Sequence, residues 1–293
     1  MENKETLEKI QSLCDETMRH ATITNNGGVL INSGLHGSQL LNNGINFHEL
    51  DKAELFESLI GLSKILSPTE TFAFTTDDHY FLWAWCAEVF SNSISTIYKR
   101  LTNQQISLLR ISAHTALSRT RHESNGIGVH VSSMIGNSSL ILQYLTFPLL
   151  ESILRHVCSD YVEADGTVKK KFGDCKIGRR CNNLGKLLTL YTDLSRDIPE
   201  RQGTLRLLTE IKSTRPNNEL NEWLFQSRSG ALHGENNQIT TGALVLNICF
   251  ALCLGELDDE TYLSERDSIM QGINWWHRTQ NPRPGWLIYP PQI

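Results

Sequence analysis

The stretch Trp223-Leu-Phe-Gln-Ser-Arg228-Ser229-Gly230-Ala-Leu-His233-Gly234 places a guanidinium, a hydroxyl and an imidazole within six residues. Histidine, with an unperturbed pKa of about 6.5, is the side chain best suited to exchanging protons near neutrality. Arginine stays charged and presents a planar fork to two phosphate oxygens. A serine hydroxyl can hydrogen-bond a phosphate or ribose oxygen. Metal-independent RNA cleavage needs these abilities. The ribose 2′-hydroxyl must lose its proton, the 5′-oxygen must gain one, and charge on a phosphorane-like transition state must be stabilised. Five residues apart on an ideal helix, Arg228 and His233 diverge by roughly 140°. Gly230 and Gly234 are therefore expected to fray or bend the helix end, so that both side chains reach one cleft.

Positioning such a pair takes a helical scaffold, and the sequence supplies one. Of its 293 residues 40% are hydrophobic and 20% charged, which is enough apolar material for a core. Apolar residues recur at helical spacing over Glu5–His20, Leu50–Leu66, Tyr80–Leu101, Gln104–Arg119, Ser138–Cys158, Asn183–Leu194, Gln202–Ile211, Asn218–His233 and Thr240–Leu254. The expected class is all-α, with Val29-Leu30-Ile31 as a short strand. Pro148 should kink or break the helix that contains it, near Thr146-Phe147. Asp77-Asp78 should favour the positive end of the helix that follows. Three regions are expected: a helical N-terminal accessory region over 1–130, a helical domain over 131–257, and a C-terminal segment over 258–293. From Gln271 onward Trp275, Trp276, Trp286 and Tyr289 alternate with Pro282, Pro284, Pro290 and Pro291, so the expected tail is extended and pinned by its aromatics.

Charge is distributed unevenly. The chain carries −5 overall, yet Gly166–Pro216 holds twelve basic and five acidic residues, +7, which leaves −12 for the remainder. A local basic field on an acidic chain is a phosphate-binding footprint. Lys169, Lys170, Lys171, Lys176, Arg179 and Arg180 are the candidate RNA-binding residues, and Asp165-Gly166, Gly173 and Gly178 mark their segment as a hairpin or loop. Seven scattered cysteines with no secretory leader read as reduced thiols in a soluble, cytoplasmic protein. Cys158, Cys175 and Cys181 near His156 lack the paired spacing of a zinc knuckle, and His122, Glu123 and His130 fit a solvated connector. No metal or other cofactor is expected. Walker-type, dinucleotide and nucleophile-elbow motifs are absent, and no apolar run reaches the ~20 residues a membrane span needs.

Arg228-x4-His233 followed by Gly234 resembles the signature of the HEPN superfamily, whose R-x4–6-H motif carries metal-independent ribonuclease activity. Phe147-Pro-Leu-Leu-Glu151-Ser-Ile-Leu-Arg155 looks like the earlier family helix that bears an acidic residue. The resemblance covers about Ser138 to Leu257 and departs from the family at Ser229, where Asn, Asp or His is frequent. It implies a HEPN-like helical bundle in which Arg228, Ser229 and His233 act catalytically. Glu151 stands behind them, orienting an imidazole or pairing with Arg228. It further implies a homodimer that brings two motifs together, an RNA substrate that is single-stranded or looped, and a toxin or phage-defence role restrained by a regulatory or antitoxin partner. The alternative is a non-catalytic HEPN-like module that binds RNA or docks proteins.

Overall fold

The computed structural model describes residues 2–19, 21–23, 29–31, 39–67, 75–91, 101–118, 138–214, 220–233 and 240–279. In chain order these form α1 (Glu2–Arg19), β1 (Ala21–Ile23), β2 (Val29–Ile31), α2 (Gln39–Asn42), α3 (Lys52–Leu66), α4 (Asp77–Ser91), α5 (Asn103–Ser118), α6 (Ser138–Val157), α7 (Leu184–Ser195), α8 (Gln202–Ser213), α9 (Leu220–His233), α10 (Thr241–Leu254) and α11 (Asp259–Thr279). The class is all-α, relieved by one short antiparallel hairpin in which Thr22 lies opposite Leu30. Val29-Leu30-Ile31 is the strand its sequence suggests.

A helix that is apolar on every side must be covered on every side. Every residue of α10 is buried, and α3, α4, α5, α6 and α8 all pack against it. Its one strongly polar side chain, Asn247, is satisfied. Asn247 accepts from Trp83 Nε1 at 2.6 Å and donates to Ser63 Oγ at 2.9 Å. Two helices can approach this closely only where a side chain is missing. At Gly242 a Cβ would sit 2.8 Å from the backbone nitrogen of Gln143, so α6 and α10 are nearly in backbone contact.

The same core crosses the expected boundary near residue 130, because α3 packs on α8 and α10. Polar contacts follow it. Lys52 Nζ donates to the Leu257 carbonyl, and Arg206 pairs with the buried Glu57 at 2.7 Å. The start of α3 is fixed by a capping box, in which Asp51 accepts from the Glu54 amide and the Glu54 carboxylate accepts from the Asp51 amide.

The structure refines three expectations. Of the two outcomes expected at Pro148, a kink or a break, the break is excluded, since α6 runs from Ser138 to Val157 through it. The carbonyl that loses its donor is that of Tyr144, a residue 41% exposed, so the missing bond falls on the solvent side. The chain beyond Gln271 is not extended at first: α11 continues to Thr279 and carries Trp275 and Trp276 within it. Tyr262, Ile269 and Ile273 bury one face of that helix, and the prolines begin only at Pro282. Residues 280–293, with the remaining tail aromatics, lie outside the described residues. Helix α4 starts at Asp77, earlier than expected, so Asp77 and Asp78 occupy its first turn, at the positive end. Asp78 also accepts from the Leu40 and Leu41 amides at 3.0 and 3.5 Å, so it caps α2 as well. Finally, α4 is described only as far as Ser91, and 92–100 lie outside the described residues, as does the connector with His122, Glu123 and His130.

Among the described residues no single helix is long and apolar enough to cross a membrane. The one pair that passes by composition, Thr241–Leu254 with Asp259–Trp276, is bent by 111°.

Candidate functional site

Glu151 is the centre of the site. It projects from α6, in the last turns of a helix otherwise devoted to the core, and its carboxylate binds two guanidinium groups. Oε1 lies 2.5 Å from Arg155 Nη2, and Oε2 lies 2.9 Å from Arg228 Nη2. Each arginine then reaches a different backbone segment. Arg155 Nη1 donates to the Ala164 carbonyl at 3.3 Å, and Arg228 Nη1 donates to the Asn182 carbonyl at 3.2 Å. One carboxylate thus ties α6 to α9 and, through the arginines, to both ends of the segment 164–182.

That segment is the basic loop read from the sequence. Three isolated β-bridges shape it, Val162 with Val168, Thr167 with Arg180 and Phe172 with Cys175. Gly166, Gly173 and Gly178 take positive φ. Gly166 has a second constraint: the Arg155 guanidinium comes within 3.0 Å of where its Cβ would be. The inner face of the loop is small and apolar. Val168, Cys175 and Cys181 are buried, and Cys175 Sγ donates to Cys181 Sγ at 3.5 Å. Burial and the Cys181 thiol push the Cys175 thiol up to about 11, which keeps it protonated. Cys158 is buried at the end of α6, and its burial pushes its thiol up to about 12. Among the described residues no three His, Cys, Asp or Glu side chains are grouped as a metal site.

The outer face is cationic. An open cleft of about 410 Å³ lies between the loop and α9, and Lys176, Arg179, Arg180 and Lys186 contribute to its lining against a single carboxylate, Asp174. Asp174 is occupied by Lys186 at 2.7 Å, and this contact holds the Asp174 carboxyl below its usual range. Arg180 pairs with the exposed Asp165 at 3.6 Å. Lys176 and Arg179 are exposed and pair with no carboxylate among the described residues. The N-terminus of α7 opens on the same cleft. Its cap Asn183 accepts from the Lys186 amide, and the helix dipole adds positive potential there.

The six candidate basic residues therefore divide. Lys176, Arg179 and Arg180 line the cleft. Lys169 is turned to Glu163 at 3.7 Å and to the Ser159 carbonyl, Lys170 sits over the Tyr161 ring, and Lys171 is exposed outside the cleft. Among the proposed catalytic residues the structure brings Glu151 and Arg228 into contact. Ser229 follows on α9, partly buried. The helix continues without interruption through Gly230 to His233, so Gly230 does not end it. A regular backbone over that span sets the Arg228 and His233 positions about 140° apart around the axis. The side chain of His233, like Gly234, lies outside the described residues.

Three contributors were not singled out from the sequence. Lys186 and Asn182 join the cleft from the start of α7, and Phe225 forms part of its α9 wall while remaining 52% exposed. The buried stripe of α9 is Leu220, Trp223, Leu224, Ser227 and Ala231, a helical pattern from which Phe225 stands apart. No family model matches the chain, and no curated protein or solved structure matches it either.

Proposed function

We propose that this chain binds single-stranded or looped RNA in the cationic cleft and cuts it without metal, in the manner of a HEPN-type endoribonuclease. The observation that carries the proposal is the meeting of two independent sequence features. The basic loop and the Arg228 motif helix both line one cleft, the helix through Phe225, and Arg228 reaches its edge by donating to the Asn182 carbonyl. Of the five N–H donors of Arg228, one goes to Glu151 and one to Asn182 among the described residues, and the others are the donors we assign to a phosphate. Glu151 fixes the guanidinium plane in advance, so a scissile phosphate meets a preorganised donor.

The 140° spread gives the homodimer a specific task. On one helix Arg228 and His233 serve different faces, so His233 would act on a strand held by Arg228 of a second copy, with Ser229 supporting the phosphate. Two such motifs supply one imidazole as base and one as acid. A cytoplasmic toxin or phage-defence effector held in check by a regulatory protein is the setting in which this activity makes sense. The second reading is an RNA-binding module that does not cut, and it is favoured by the same spread and by the partial neutralisation of Arg228 by Glu151. Purified protein incubated with total RNA in EDTA separates the two. Fragments that vanish with His233→Ala and with Arg228→Ala support cleavage, whereas intact RNA with retained binding leaves the module.

A further inference from the structure

We propose that Phe225 is the stacking platform for one unpaired base of a single strand whose phosphates lie on Lys176 and Arg179 across the cleft. This deepens the RNA-binding reading above and rests on it. The placement of the ring is the starting point. Phe225 is an aromatic side chain that its helix could have buried, yet it lies off the α9 core stripe and stays 52% exposed within the cleft lining. Its carrier is a regular helix, so the ring is held on a rigid wall rather than on a loop. Arg228 follows three residues later, one turn along the same helix, and donates to the carbonyl of Asn182 in the cleft lining.

The basic loop supplies Lys176, Arg179 and Arg180 to the same lining. An exposed ring sharing a cleft with a row of cations is the arrangement by which proteins hold unpaired strands: the cations track the backbone and the ring takes a base face. A cleft of about 410 Å³ falls in the range of roughly 300–1,000 Å³ typical of small-ligand sites, room for about one nucleotide at a time. An acidic peptide would use the cations and ignore the ring. A paired helix could present neither an open base face nor a groove that side chains enter. Because every base has a π face, the subsite should be indifferent to which base it takes.

The test uses the full chain and a fluorescently labelled single-stranded oligodeoxynucleotide, which lacks the 2′-hydroxyl and so cannot be cut by the proposed chemistry. Phe225→Ala should weaken binding at least about five-fold, the lower end expected for one base–aromatic stack. Phe225→Trp should restore it and Phe225→Leu should not, since leucine keeps the apolar surface but has no ring. An abasic oligonucleotide of the same length should bind wild type and Phe225→Ala equally. A nucleoside monophosphate should bind far more weakly than the strand. Wild-type affinity in Phe225→Ala, rescue by leucine, an equal loss with the abasic strand, or a mononucleotide that binds as well as the strand would each overturn the proposal. Absence of cleavage in the EDTA experiment would leave this result standing, and a null result here would leave cleavage standing.

Discussion

Replacing Lys176 and Arg179 by glutamine should flatten the salt dependence of RNA binding, and the structure sets by how much. Three cleft cations can exchange onto phosphates. Lys176 and Arg179 have no carboxylate partner among the described residues, and the Arg180–Asp165 pair is exposed at 3.6 Å, where such contacts contribute little. Lys186 is already neutralised by Asp174 at 2.7 Å. Three released counterions on a single strand give a slope of log affinity against log salt of about −0.7 × 3, or roughly −2. Raising salt from about 50 to about 200 mM should therefore weaken wild type by about 20-fold. The double variant retains one such cation, with a slope of roughly −0.7 and a loss of about three-fold over the same range. Both side chains are exposed, so the fold should be unaffected. The assay is fluorescence anisotropy with a 2′-O-methylated oligonucleotide, which cannot be cleaved, at several salt concentrations. Identical slopes for the two proteins would refute phosphate binding in this cleft.

Three further outcomes follow from particular contacts. Glu151→Gln should destabilise the chain by about 2 kcal/mol in urea unfolding, because two guanidinium groups lose the carboxylate that pairs them in a poorly solvated position. The same variant should also weaken RNA binding, since both anchors of the basic loop depend on Glu151. Gly242→Ala should cost more than the roughly 1–3 kcal/mol usual for overpacking, because the added carbon meets the α6 backbone, which cannot rotate away; a midpoint unchanged in urea would show that the helices can part there. The Asp78–His79 pair should make acid stability a difference of two opposing effects. Burial lowers His79 to about 4, so the unfolded chain takes up that proton first and stability falls as pH drops from 6.5 towards 4. Burial raises Asp78 to about 6, so the folded chain takes up that proton first and stability rises over nearly the same window. Asp78→Asn, which can still cap α2, should expose the His79 effect as a loss of about 3 kcal/mol between pH 6.5 and 4. Equal pH profiles for wild type and variant would contradict the Asp78 assignment, and a variant with no loss between pH 6.5 and 4 would contradict that of His79.

Much of the fold was legible because its helices bury one regular stripe, and α10 showed itself by being apolar on every side. What escaped were features set by neighbours. Pro148 reads as a kink or a break, and the exposure of Tyr144 explains why the helix continues through it. The tryptophans at 275 and 276 read as part of a proline-rich tail, but the buried stripe Tyr262–Ile269–Ile273 extends the helix over them. Asp78 looked like a cap for its own helix, and nothing local says that the start of α2 lies against it. In the site, the pairing of Glu151 with Arg228 was anticipated as one of two options. The basic run was legible as charge, but its division between cleft and outer face depends on the loop's bridges. Phe225 was hidden in an ordinary amphipathic helix, because a single aromatic outside the stripe means little until the rest of the cleft lining is known.

Photocrosslinking tests the location of the RNA most directly. A single-stranded RNA carrying 4-thiouridine at every pyrimidine, bound to the full chain at low salt and irradiated, should crosslink within residues 174–186 and at Phe225 or its immediate neighbours on α9. Crosslinks confined to other surfaces, with these two peptides unmodified, would contradict binding in the cleft and remove the basis for placing a scissile phosphate at Arg228.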